Sequence, residues 1–161
     1  MTLIHPPAPD WHLAEVNVAR LKAPADDPLV APFIDAIDKI NALAARMPGF
    51  VWRHVNTPAD QTGMDPLVVY NASTWTDAPA LETFVWGTLH ARFYERRAEW
   101  FDALGAMHFA MWWVPPCHRP PVSEAMERLA KLDADGPSSD AFGWEQLPDA
   151  TRWRGARCEP A

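Results

Sequence analysis

The chain has 161 residues, a length that forms one domain with a full core and needs no disulfide or metal to fold. Its 14 basic and 21 acidic residues leave a net charge of −7 with no basic run, which argues against nucleic acid or an anionic membrane as partner. Hydrophobic residues at 48% exclude wholesale disorder, and nine tryptophans leave much indole surface to place in a core, an interface or a pocket.

The two cysteines, Cys117 and Cys158, are too few and too late for a disulfide framework and read as ordinary thiols of a reducing compartment. The opening residues Met1 to Pro7 lack the charged and apolar regions of a secretory leader, and no stretch reaches about 18 apolar residues. The expected location is cytoplasmic.

Taken in order, residues 1–10 form a proline-rich arm. Residues 11–21 alternate as a first strand, with Leu13, Glu15, Asn17 and Ala19 on one face and Ala14, Val16, Val18 and Arg20 on the other. After a proline-rich loop, Phe33, Ile37, Ile40, Ala44 and Met47 recur at helical spacing, and Pro48-Gly49 stops the helix. Residues 50–56 and 67–75 read as strands joined by a long polar loop. A second helix is expected over 78–104, with a break near Gly87. Residues 107–114 form a fourth strand, closed by Pro115-Pro116. Ser123 caps a further helix to about Leu132, and a loose tail follows, anchored by Phe142, Trp144 and Trp153.

The order strand, helix, strand, strand, helix, strand is the ferredoxin-like βαββαβ arrangement, an α+β fold with a four-stranded antiparallel sheet and an extra C-terminal helix and tail. The chain is expected to be a single domain over 1–161, with its core in 11–115 and the C-terminal helix and tail in 116–161. Trp52, Val69, Trp75 and Trp112 are expected on the sheet face away from the helices, too apolar for water. A second copy of the chain would cover that face, and two sheets would close into a barrel whose interior is a cavity.

Several segments carry a resemblance. Leu13–Pro24, Pro48–Arg53, His90–Phe101, Trp112–Pro115 and Pro121–Ala125 resemble, in order, a bacterial domain-of-unknown-function family, over about residues 11–145. That family is assigned to the dimeric α+β barrels, which include antibiotic-biosynthesis monooxygenases and haem-degrading monooxygenases. The resemblance implies the barrel and the homodimer and names no substrate.

The chemistry candidates come from the residues themselves. His90, Tyr94, Arg97 and Phe101 are spaced four, three and four apart and share a helix face. An imidazole there can shuttle protons, Tyr94 can hold its tautomer or a substrate hydroxyl, and Arg97 can pair with an anion. The competing reading is a boundary histidine bonded to backbone, with Arg97 in solvent. Asn17 and Asn71 sit in mid-strand among apolar neighbours, where an amide needs a bonding partner: a ligand, a water or a neighbouring strand. Trp52, Trp75, Trp86 and Trp112 can stack on a flat conjugated substrate, although most tryptophans serve packing. Trp11 and Trp100 read as packing. Arg53 can reach a carboxylate in the cavity.

No His-x-x-x-His pair, acidic cluster, phosphate loop, dinucleotide fingerprint or Gly-x-Ser-x-Gly elbow is present, so neither metal nor cofactor is expected. The resemblance leaves haem as the alternative: haem-degrading relatives use an asparagine on the first strand with a tryptophan and a histidine around the second helix. Asn17 and His90 sit in comparable places, but Trp75 lies too early and Trp86 only four residues before His90.

The expected protein is a small, cofactor-independent enzyme of specialised metabolism. Its substrate is apolar and conjugated, held in a Trp-lined cavity and changed by proton transfer or monooxygenase-like, O₂-dependent oxidation. His90, Asn17 and Asn71 act on it; Trp52, Trp75, Trp86, Tyr94, Arg97 and Trp112 bind it. The alternatives are a cyclase or isomerase that shapes a reactive polyketide-like chain, and a non-catalytic ligand- or haem-binding barrel.

Overall fold

The computed structural model describes residues 1–61, 63–104 and 108–154; the residue expected to begin the fourth strand, Met107, and Cys158 lie outside them. Alternating residues build β1 (His12–Leu21), and Pro32 opens α1 (Ala31–Arg46) in its first turn. Gly49, at φ +84°, turns the chain into β2 (Phe50–Arg53), where a Cβ would lie 2.5 Å from that of Ala80. A turn of 3-10 helix (Pro58–Gln61) leads to β3 (Val68–Trp75).

Asp77 caps α2 (Ala78–Gly87) by accepting the Ala80 N–H at 2.8 Å. The helix expected to run to residue 104 is three helices. Thr88 takes extended backbone angles, caps α3 (Leu89–Glu95), and donates its hydroxyl to the Phe84 carbonyl at 2.6 Å. A short α4 (Arg97–Trp100) then gives way to a two-residue strand, β4 (Phe101–Asp102). β5 (Phe109–Val114) and α5 (Val122–Asp135) complete the core.

The sheet is antiparallel, in the order β2-β3-β1, with both β4 and β5 on the far side of β1. This is the ferredoxin-like α+β order with its last strand in two pieces: β5 pairs with His12–Asn17 and β4 with Arg20–Leu21.

Register decides the faces. Leu13, Glu15, Asn17 and Ala19 oppose Trp75, Ser73, Asn71 and Val69. That face meets the helices, with Leu13, Trp75 and Met111 packing on Ala44, Leu81 and Phe84, and Leu21 grouping with Val30 and Trp100. The four residues expected to share one face do not. Trp112 pairs with Ala14, and a register shift between Phe50 and Trp52 sets Trp52 opposite Thr74; both therefore lie on the face opposite Trp75 and Val69.

The second face is covered from within the chain. Ala14, Val16, Ala72, Ala110 and Trp112 cluster with Ala125, Leu129 and Leu132 of α5. Trp112 Nε1 donates to Glu124 Oε1 at 2.9 Å, and His118 Nε2 lies 2.7 Å from Glu124 Oε2. The premise that a second copy must cover this face therefore fails where α5 lies on it.

As far as residue 154 the tail is not loose. Met111 and Phe142 exchange backbone hydrogen bonds of 2.8 and 2.9 Å, Phe142 is fully buried, and Glu82 accepts the Thr151 and Trp153 N–H groups at 3.1 and 3.0 Å. No helix among the described residues is long and apolar enough to cross a membrane.

Candidate functional site

Between the first sheet face and the helices lies a cavity of about 540 Å³. This is a different place from the expected one, which lay between two sheets. The helices stand off the sheet here because β1 and β3 carry small or polar residues, Asn17, Ala19, Asn71 and Ser73, where the row beyond them carries Leu13 and Trp75. Phe33, Ile37 and Ile40 of α1, Phe84 of α2, Phe93 of α3 and Trp100 of α4 form an apolar, largely aromatic wall.

The structure brings Asn17, Asn71, His90, Tyr94 and Arg97 together around this cavity, with Arg53 from β2. Asn17 and Asn71 are directly paired across β1 and β3, and among the described residues neither side-chain amide has a hydrogen-bond partner. Asn71 is exposed although it lies in the middle of a strand, so its amide is available to whatever fills the cavity.

His90 sits at the start of α3, where Thr88 positions it by accepting its N–H at 3.2 Å. Its Nδ1 lies 3.2 Å from the Val85 carbonyl, which can only accept, so Nδ1 carries the proton and Nε2 keeps its lone pair. Burial holds the imidazole below its ordinary pKa, outweighing that hydrogen bond, so it is neutral at pH 7. Arg97 lies at the rim: its guanidinium stands 4.1 Å over the Tyr94 ring and donates to the Tyr94 carbonyl at 2.8 Å. The expected stripe is divided between elements. His90 and Tyr94 share α3, Arg97 belongs to α4 and Phe101 to β4, yet all four reach the cavity.

The tryptophans distribute differently. Trp52, Trp75, Trp86 and Trp112 do not line the cavity. Trp75 is fully buried behind Ser73, stacked on Phe84 at 5.3 Å; Trp112 faces α5; Trp86 packs edge-on against Tyr94 at 5.0 Å. Trp100, expected to serve packing alone, is buried and also lines the cavity. The haem arrangement that the resemblance implies places a tryptophan beside Asn17 and His90; the two weighed for that place, Trp75 and Trp86, do not line the cavity. Among the described residues, no three His, Cys, Asp or Glu side chains gather where they could hold a metal ion.

One group was missed from the sequence. Glu15 is 5% exposed, directly paired with Ser73, and accepts the Ser73 hydroxyl at 2.5 Å; Ser73 in turn accepts Trp75 Nε1–H at 2.9 Å. Burial pushes the Glu15 carboxyl up to about 7, with hydrogen bonds from Ser73 pulling the other way. Ser73 lines the cavity. The sequence signal was a glutamate at an inward position of an alternating strand, next but one to Asn17.

The fold and cavity define a ferredoxin-like α+β protein with an aromatic pocket between sheet and helices. The chain belongs to the family described as a domain of unknown function, DUF3291, whose sequence profile matches residues 12–158. No curated protein matches it. Among solved structures, it is similar to a conserved protein from Methanosarcina mazei Go1, at 11% identity over 66% of this chain and 94% of that one, with a TM-score of 0.48. SnoaB, a cofactor-independent oxygenase from Streptomyces nogalater, is similar at 16% identity over 70% of this chain and 97% of that one, with a TM-score of 0.47. A candidate antibiotic biosynthesis monooxygenase from Nitrosomonas europaea is similar at 15% identity over 70% and 95%, with a TM-score of 0.47.

Proposed function

We propose that this chain is a small enzyme of specialised metabolism that binds a flat, apolar, conjugated molecule between its sheet and helices. It moves an acidic hydrogen of that molecule as a proton, a step that opens either tautomerisation or monooxygenase-like oxidation. The observation that carries this reading is the placement of a neutral imidazole and two unpartnered strand amides on opposite sides of one aromatic-walled cavity.

The roles follow from the groups. His90 Nε2 has a free lone pair and takes the proton. The Asn17 and Asn71 amides offer N–H donors to an oxygen on which charge develops. The phenylalanines and Trp100 hold the ring system by stacking and exclude water. Tyr94 and Arg97 border the entrance, where Arg97 can meet an anionic substituent. Proton transfer of this kind needs no metal and no cofactor.

Anthrone, a flat aromatic ketone with an activated methylene, tests the reading. In D₂O without oxygen, the protein is expected to accelerate deuterium exchange at that methylene, followed by mass spectrometry. His90→Ala is expected to lower the rate about 10²- to 10⁴-fold. An unchanged rate removes His90 from the chemistry, and failure to bind anthrone removes the reading of the cavity.

A further inference from the structure

We propose that Ser73 and Glu15 form a proton relay on the sheet wall, opposite His90, that delivers a proton to the oxygen of an enolisable aromatic ketone as His90 withdraws one from its carbon. The inference rests on the proposed proton-transfer function and adds its acid partner.

Three observations carry it. Glu15 is sealed from solvent and, among the described residues, has one side-chain partner, Ser73, which faces the cavity. Ser73 is pinned by a second, permanent donor, because an indole N–H can give but never accept, and Trp75 Nε1–H points at its oxygen at 2.9 Å. The Glu15–Ser73 pair lies next to the Asn17–Asn71 pair on the same sheet face, so a ligand oxygen held by the amides lies beside the serine.

The serine oxygen has two lone pairs and one hydrogen. With Glu15 ionised, the hydroxyl hydrogen turns to the carboxylate and Ser73 shows the cavity a lone pair. With Glu15 protonated, the acid and the indole both donate to Ser73, and its hydrogen is free for the ligand. Ser73 is then a donor or an acceptor according to the state of Glu15, which sits near 7, so both states are populated in neutral solution. Among the described residues no cation neutralises the carboxylate: the titratable side chains around the cavity are Arg53 on β2, His54 just after it, Tyr70 on β3, His90 and Tyr94 on α3, Arg97 on α4, Asp102 on β4 and His108 ahead of β5, and none of them holds Glu15. Tyr70, on β3, is held above its ordinary pKa by burial first and then by the Glu15 charge. The α1, α2 and tail side chains clustered with Trp75 beside the pair are apolar: Ala44, Leu81, Phe84 and Phe142.

The step balances. The C–H bond breaks and its proton joins His90 Nε2. The electron pair becomes the carbon–carbon double bond, and the carbonyl π pair goes to oxygen. That oxygen takes the Ser73 hydrogen, Ser73 takes the Glu15 hydrogen, and an imidazolium and a carboxylate remain. Reversal restores both groups. Ser73 touches the ligand, and Glu15 acts through it.

The test uses the full chain, anthrone and anaerobic exchange from pH 5 to 9. A bell-shaped rate is expected, rising as His90 loses its proton and falling near 7 as Glu15 loses its own. Glu15→Gln and Ser73→Ala are each expected to lower the rate at pH 6 about 100-fold and to abolish the falling limb. His90→Ala is expected to lose the rising limb and keep the falling one. A wild-type rate and falling limb in both Glu15→Gln and Ser73→Ala overturn the relay and leave His90 standing. A protein that accelerates no exchange overturns both. Since Ser73→Ala leaves the buried carboxyl in place, it serves if Glu15→Gln does not fold.

Discussion

A carboxyl with no cation beside it is an uncommon thing to bury, and Glu15 leaves a mark on stability as well as on chemistry. Its carboxyl ionises at its ordinary 4.5 when the chain is unfolded and at about 7 when folded. The unfolded chain therefore releases its proton first, and stability falls between these pH values, by about 3 kcal/mol at roughly 1.36 kcal/mol per unit. His90 works in the opposite sense. Its folded pKa lies below its ordinary 6.5, so its contribution is present above that value and is lost as pH falls through the folded one. Urea titrations of wild type and Glu15→Gln across pH 4 to 8 separate the two. The variant is expected to lack the fall toward pH 7 and to be the more stable protein at pH 8; parallel profiles would mean that Glu15 does not titrate as described.

Between elements, the tail is tied down by a side chain. Glu82 of α2 is 3% exposed, and its two oxygens accept the N–H groups of Thr151 and Trp153. Bonds to a buried carboxylate are worth about 1.5–3 kcal/mol each. Glu82→Ala is expected to speed hydrogen exchange of those two amides about 10- to 100-fold, while the β1 amides hardly change. Equal acceleration in β1 would show that the variant loosened the whole fold. The helical segment that begins with α2 shows why element boundaries were partly legible. Its apolar periodicity was visible from Leu81 to Leu104, as was a break near Gly87. The conversion of Phe101 and Asp102 into strand was not, because it depends on pairing with Leu21 and Arg20, which are distant in sequence.

Over the whole molecule, the sheet is clothed on both faces by its own chain: α1 to α4 on one side and α5 on the other. Removing a large apolar contact from α5 should therefore cost core-like energy. Leu129→Ala is expected to destabilise the protein by about 2–5 kcal/mol, measured by urea denaturation. A cost below about 1 kcal/mol would mean that α5 does not seal this face. Sedimentation of the wild type at several concentrations reads the oligomeric state directly, without the premise that an open apolar face requires a partner.

Periodicity, turn residues and element order were enough for the ferredoxin-like architecture, since each reports local geometry that neighbouring residues share. They also marked Asn17, Asn71, His90, Tyr94 and Arg97, because a polar group in an apolar pattern stands out wherever the chain goes. Which side of the sheet holds the cavity was settled by tertiary structure, through one register shift in β2 and the packing of α5. So was the fate of the tryptophans: composition announced nine indoles, but only packing separates Trp100 at the cavity from Trp75 behind it and Trp112 beneath α5. Glu15 is the sharpest case. As a letter it is an ordinary acidic residue in a strand; pairing with Ser73 and removal from water give it a proton to exchange near neutral pH. Desolvation belongs to the assembled molecule, and no local pattern carries it.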